Sequence, residues 1–142
     1  VIHAKRLIYP IETDFSPGLF ALADAGRVET ILNHLLQNAI DATDDGSPIR
    51  VSAARQDDWV AIRVIDQGCG MSEAFVVNQL FKPFESTKSG GFGIGAYEAR
   101  ALTQSLGGHL HVDSRLGKGT RMTLLLPATQ ETPNDNEVDK AA

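Results

Sequence analysis

Apolar side chains recur along this chain with two periods, and the alternation between them outlines its architecture. From Val28 to Ile40 the residues Val28, Ile31, Leu32, Leu35, Leu36, Ala39 and Ile40 return at three and four, the spacing of an amphipathic helix. The turn-forming run Asp44-Asp45-Gly46-Ser47-Pro48 ends that helix and leads into an extended segment from Ile49 to Arg55. Beyond Gln56-Asp57-Asp58, the stretch Trp59 to Asp66 alternates Val60, Ile62 and Val64 with Ala61, Arg63 and Ile65, so the pair reads as an antiparallel hairpin. Ser72 is a suitable N-cap for a second helix reaching about Leu80. Residues 81–93 follow no period, as a mobile loop would. A third helix is predicted from near Gly95 to Leu106, stopped by Gly107-Gly108. Two further alternating runs, Leu110 to Ser114 and Thr120 to Leu126, are joined by the turn Arg115-Leu116-Gly117-Lys118-Gly119. Mixed but mainly antiparallel strands of this kind bury one face under helices, which predicts an α+β fold: a two-layer sandwich with about three helices on one face of a mixed sheet.

Composition adds limits. The 142 residues suffice for one core, and 42% hydrophobic with 22% charged residues is the make-up of a soluble globule. A formal net charge of −5 argues against a large basic footprint for nucleic acid, so any anionic ligand must be met locally. Cys69 is the single cysteine, which rules out an intrachain disulfide and points to a reducing compartment. No apolar run approaches the roughly 20 residues that span a bilayer. The chain opens at Val1 and closes on the polar run Glu131 to Ala142, so a fragment with a domain at 1–128 and a loose tail at 129–142 is expected.

Three constellations carry candidate chemistry. A rotation of about 100° per residue brings His34, Asn38 and Asp41 together on the helix face opposite the apolar stripe. That patch is either a solvated face or a magnesium site, since Mg²⁺ keeps waters and substrate phosphates and can take one Asn carbonyl oxygen, here Asn38, from the protein. Asp66 continues the face of Val60, Ile62 and Val64, which delivers a carboxylate to the packed side of the strand. It is either an Asp-Gly turn at a strand end or an acceptor for an N–H donor such as an adenine amino group, with Gly68 and Gly70 allowing positive φ and close backbone approach beside it. The run Gly90-Gly91-Phe92-Gly93-Ile94-Gly95 precedes a helix, where freed backbone N–H groups and the positive end of the helix dipole suit a triphosphate; glycines also serve plain flexible loops. Lys88 lies just upstream, as a phosphate-reaching charge or a solvent lysine. No Lys-Ser or Lys-Thr pair follows the last glycine, which disfavours a Walker loop, and the run lacks the setting of a dinucleotide fingerprint.

Asn38 on a helix, Asp66-Gln67-Gly68-Cys69-Gly70, Phe81-Lys82-Pro83-Phe84, Gly91-Phe92-Gly93-Ile94-Gly95 and Gly117-Lys118-Gly119-Thr120 stand in one fixed order. That order resembles the catalytic ATP-binding domain of sensor histidine kinases, in the superfamily (the Bergerat fold) that also holds gyrase, mismatch-repair and heat-shock chaperone ATPases. The resemblance covers about residues 20–128. It implies that Asn38 ligates Mg²⁺, that Asp66 takes a hydrogen bond from the adenine amino group, and that Gly68 and Gly70 shape that pocket. It further implies that Gly91, Phe92, Gly93, Ile94, Gly95 and Lys88 meet the phosphates, that residues 81–92 form an ATP lid anchored by Phe81 and Phe84, and that Thr120 assists near adenine. The aromatic pair serves equally well as core filling. The details around Gly91 to Arg100, with His34 before Asn38, are similar to PrsK-type kinases of the exopolysaccharide and PEP-CTERM sorting system. The implied parent is a membrane-bound bacterial receptor with this domain in the cytoplasm, the implied partners its own dimerisation domain and a DNA-binding response regulator.

Departures from the family pattern matter too. ATP-hydrolysing relatives carry a glutamate general base one turn before the magnesium asparagine, where this chain has His34; it is a polar assist at most, or a surface residue. Asp41 stands where many members have a basic residue, so no phosphate role passes to it. His109 and His111 fall on one strand face and His3 lacks the acidic neighbour of a phosphoacceptor, so the chain is expected to bind Mg·ATP without phosphorylating itself. The alternative function is a nucleotide-binding regulatory module of a degenerate kinase. A third, an anti-sigma serine kinase, is disfavoured by the Gly117-Lys118-Gly119-Thr120 ending.

Overall fold

The computed structural model of the chain describes residues 10–44, 46–82 and 93–129. Strand β1 (Ile11–Phe15) is followed by helix α1 (Ala25–Ala42), strands β2 (Ile49–Gln56) and β3 (Trp59–Asp66), the short helix α2 (Glu73–Asn78), helix α3 (Gly93–Ser105), and strands β4 (His109–Arg115) and β5 (Gly119–Pro127). The five strands form one sheet in the order β1-β2-β3-β5-β4. Three of the four pairings are antiparallel and β1–β2 is parallel. The two-layer α+β arrangement expected from the pattern is therefore the one found.

The first two helices start where their capping chemistry dictates. Asp24 caps α1, its carboxylate accepting from the backbone N–H of Arg27 at 3.1 Å, so the helix begins three residues before the apolar period. Ser72 does the same for α2 through the N–H of Phe75. At its far end α1 stops at Thr43, whose hydroxyl donates to the carbonyl of Ala39 at 2.8 Å while its backbone leaves the helical region.

The core lies between the sheet and the helices. On the helix-facing side of β3 and β5 the register stacks Val60 on Leu126, Ile62 on Leu124 and Val64 on Met122, and Ile31, Leu35, Leu36 and Ala39 of α1 close over them, buried. Ala96 and Ala99 of α3 and Leu80 after α2 complete the layer. A buried Leu or Ile here contributes about 1.5–3 kcal/mol. The same register then reaches Asp66 and Thr120 as its next pair, so the ladder that builds the core ends in two polar side chains.

Pattern reading missed β1. Only Ile11 of its five residues is buried, which leaves no alternation to detect, and its place is set by parallel pairing with β2 from Ile11↔Ile49 to Phe15↔Ala53. The third helix starts at Gly93 rather than Gly95. Thr129 donates its N–H to the carbonyl of Phe20, and the expected tail beyond it, 130–142, lies outside the described residues.

Candidate functional site

The polar end of the β3/β5 ladder opens on a hollow lined by Leu35, Asn38, Ala39 and Ala42 of α1, Val64 and Asp66 of β3, Met71, and Thr120 and Met122 of β5. Asn38 and Asp66 therefore face the same space. Both are almost fully buried, at 5% and 7% exposure, against a mostly hydrocarbon lining.

Asp66 is fixed by its own loop and its strand partner. Its Oδ1 accepts from the backbone N–H of Gly68 at 2.9 Å and of Thr120 at 3.3 Å. Both bonds go to one oxygen, so neither occupies Oδ2. Burial pushes the carboxyl above its ordinary value of 3.8, and the two backbone donors oppose that shift without cancelling it. Thr120 is held in turn by Ser114, whose Oγ lies 2.7 Å from Thr120 Oγ1 and also accepts from the N–H of Met71 at 2.8 Å. Ser114 thus ties β4, β5 and the loop after β3 into one polar network, a role that its place at the end of an alternating run did not reveal.

The loop glycines serve close packing. A Cβ on Gly68 would collide with the carbonyl of Ala42, the same carbonyl that accepts from the N–H of Cys69 at 3.1 Å. Gly68 thus lets the loop dock on the C-terminus of α1, and its φ is not positive. Gly70, at φ 69°, packs against the carbonyl of Arg115, where any side chain would clash. Together they fasten the rim of the hollow to α1 on one side and to the β4–β5 turn on the other.

Asn38 corrects one expectation. It belongs to the buried side of α1, three residues after Leu35 and four before Ala42, because a helix sandwiched between a sheet and α3 buries more than a narrow stripe. His34 approaches the same turn of α3 as Asn38, but Asp41 does not join them. Asp41 is exposed and accepts from the side-chain amide of Gln37 at 2.9 Å. His34 reaches across to α3, its Nε2 3.1 Å from Oε2 of Glu98. Asn38 Nδ2 is buried with no hydrogen-bond partner among the described residues, an arrangement costing about 1–3 kcal/mol.

Helix α3 meets this edge of α1 at Gly95. A Cβ there would lie 3.4 Å from His34 Nδ1 and 3.9 Å from Asn38 Oδ1, so the glycine brings the first turn of α3 close to both. Phe81 packs partly buried on the core, with the Arg100 guanidinium 5.0 Å above its ring; it does not line the hollow. Phe84, Lys88, Gly91 and Phe92 lie outside the described residues, and of Gly93 and Ile94 only the helical backbone is described. Among the described residues no group of three or more His, Cys, Asp or Glu could hold a metal ion by itself. The amide oxygen of Asn38 fits a cation that keeps most of its shell from phosphates and water, and the unpartnered Nδ2 beside it suits a phosphate oxygen as acceptor.

The two-layer domain, with a buried acid at one sheet end and a buried asparagine on the helix opposite, is placed in a family by comparison with known proteins. The family model described as histidine kinase-, DNA gyrase B-, and HSP90-like ATPase matches residues 23–130, and the chain belongs to that family. It is similar to the C4-dicarboxylate transport sensor protein DctS of Rhodobacter capsulatus, 38% identical over 113 residues that make up 77% of this chain and 17% of that protein. It is also similar to the signal transduction histidine-protein kinase AfsQ2 of Streptomyces coelicolor, 32% identical over 140 residues, 96% of this chain and 26% of that one. The chain thus spans about a quarter or less of these two relatives. Among solved structures it resembles full-length ShkA in complex with AMPPNP, with a TM-score of 0.76, 25% identity and coverage of 92% of this chain and 28% of that one. The mycobacterial sensor histidine kinase MprB shares the fold, with a TM-score of 0.72 at 22% identity over 89% of this chain and 87% of that one. No helix among the described residues is long and apolar enough to cross a membrane.

Proposed function

We propose that the chain is the catalytic domain of a sensor histidine kinase, binding Mg·ATP in the hollow between Asn38 and Asp66 and donating the γ-phosphoryl group to a histidine on a separate dimerisation domain. The observation that carries this reading is the shared hollow. A carboxylate at the end of β3 and an unsatisfied amide on α1 face one space from opposite layers, and each is costly there unless a ligand meets it.

The roles follow from the chemistry of each group. Asp66 Oδ2 accepts from the adenine amino group while Oδ1 stays on the loop and β5, so a purine without that donor leaves a buried acceptor unpaired. Thr120, oriented by Ser114, supports the same edge. Gly68 and Gly70 hold the pocket rim. Asn38 offers its amide oxygen to the cation, and Gly91, Gly93 and Gly95 with Lys88 meet the phosphate chain near the start of α3. Phe81 and Phe84 anchor the lid formed by residues 81–92. The cation, when bound, neutralises charge on the phosphates. The protein's own contribution is to hold the nucleotide in line for an acceptor on another domain, with the bond from the γ-phosphorus to the bridging oxygen breaking as the bond to the imidazole nitrogen forms. The resemblance to PrsK-type kinases extends this to a membrane-bound parent acting on a response regulator.

Titration with a non-hydrolysable ATP analogue, with and without Mg²⁺, tests the reading. Binding that tightens at least tenfold with Mg²⁺ and shifts the amide resonances of Asp66, Gly68 and Thr120 supports it. No binding, or shifts confined to another face, defeats it.

A further inference from the structure

His34 is a polar side chain on α1 that the nucleotide reading leaves without a task. It lies one helical turn before Asn38, and both turn a heteroatom toward Gly95: Nδ1 and Oδ1 lie 3.4 and 3.9 Å from the point where a Cβ of Gly95 would stand. The other ring nitrogen is occupied, since Nε2 lies 3.1 Å from Oε2 of Glu98, one turn beyond Gly95 on α3. A carboxylate only accepts, so Nε2 carries the proton, and in the neutral imidazole the lone pair is then on Nδ1. A carboxylate fixing one imidazole nitrogen so that the other presents its lone pair is the usual second layer behind a histidine metal ligand. The buried Asn38 Nδ2, without a hydrogen-bond partner among the described residues, is the independent sign that an acceptor such as a phosphate oxygen of a cation-bound nucleotide belongs at this spot.

We infer that His34 is a second protein donor to the cation beside Asn38, with Nδ1 as the ligating atom and Glu98 as its positioning residue, and that the site consequently favours Mn²⁺ over Mg²⁺. The inference rests on the nucleotide reading above. Its basis is donor chemistry: imidazole nitrogen suits the first-row transition ions, whereas Mg²⁺ demands oxygen and gives up water reluctantly. Both donors stand on α1 where it meets α3 at a glycine, so a larger residue at 95 would separate them from the start of α3.

The test uses the 142-residue chain with a non-hydrolysable ATP analogue and Mn²⁺. Electron spin-echo modulation of bound Mn²⁺ should show coupling to an imidazole nitrogen, absent in His34→Asn, a variant that keeps an oxygen donor of similar reach. The ratio of Mg²⁺ to Mn²⁺ dissociation constants should fall about tenfold or more in His34→Asn, and Glu98→Ala should weaken Mn²⁺ about tenfold. Glu98 is half exposed, so its removal leaves the core untouched. Analogue binding with no imidazole nitrogen on Mn²⁺, or a metal ratio unchanged by His34→Asn, overturns this inference alone. Failure of the analogue to bind at all overturns the nucleotide reading and this inference with it.

Discussion

The two ends of the β3/β5 ladder are built by one register from opposite materials. At one end Val60 faces Leu126 and Ile62 faces Leu124, apolar side chains packed beneath α1. At the other end the same alternation delivers Asp66 opposite Thr120, still nearly as buried but polar. The apolar pairs stabilise the fold by leaving water; the polar pair gives up hydration for partial satisfaction, two backbone donors on one oxygen and a hydroxyl network through Ser114. A fold selected for stability alone has no reason to end its ladder this way. The contrast separates residues that hold the sandwich from residues that the sandwich holds.

Breaking each end should therefore produce different losses. Leu124→Ala, at a fully buried position, is expected to cost about 2–5 kcal/mol of stability in denaturant unfolding, with the remaining folded protein binding nucleotide normally. Asp66→Asn should do the reverse. Its amide oxygen can still accept from Gly68 and Thr120, so the fold persists, but the NH₂ then opposes the adenine amino group. Affinity in calorimetry should fall at least a hundredfold, about 2.7 kcal/mol, and unchanged affinity would remove Asp66 from the site. Ser114→Ala leaves Thr120 and the Met71 N–H without their partner and should cost about 1–3 kcal/mol of stability, with a weaker effect on binding.

The smallest effect concerns pH. Because burial raises the Asp66 carboxyl above 3.8, the folded state binds that proton more tightly than the unfolded state does. The stabilisation from this group is complete below 3.8 and is lost as pH rises through its folded value, which opposes the usual acid destabilisation. The difference in unfolding free energy between wild type and Asp66→Asn should accordingly move against the wild type as pH rises through that window. A difference that is flat with pH would mean that the carboxyl is not desolvated.

Much of this was legible in the residues. Strict alternation from Trp59 to Asp66 and from Thr120 to Leu126 reports which side chains share a face, so the arrival of Asp66 on the packed side was readable before any coordinates. The order of Asn38, Asp66 and the glycine runs carried the family. Illegible were β1, whose single buried residue leaves no period, and the true setting of Asn38, since helical rotation places a residue on a face without saying how many faces will be covered. Ser114 and Glu98 were invisible for a related reason: their significance lies in contacts with residues 6 and 64 positions away.

The sequence by itself determined the elements other than β1, the packed faces of its strands and the identity of the groups able to meet a purine, a cation and phosphates, because these depend on local period and on side-chain chemistry. Tertiary structure alone decided that Asn38 and Asp66 share one hollow, that Gly68 and Gly70 are demanded by backbone against backbone, and that Glu98 holds His34. Those outcomes depend on how layers close over one another, and the distances between layers are not written in the spacing along the chain.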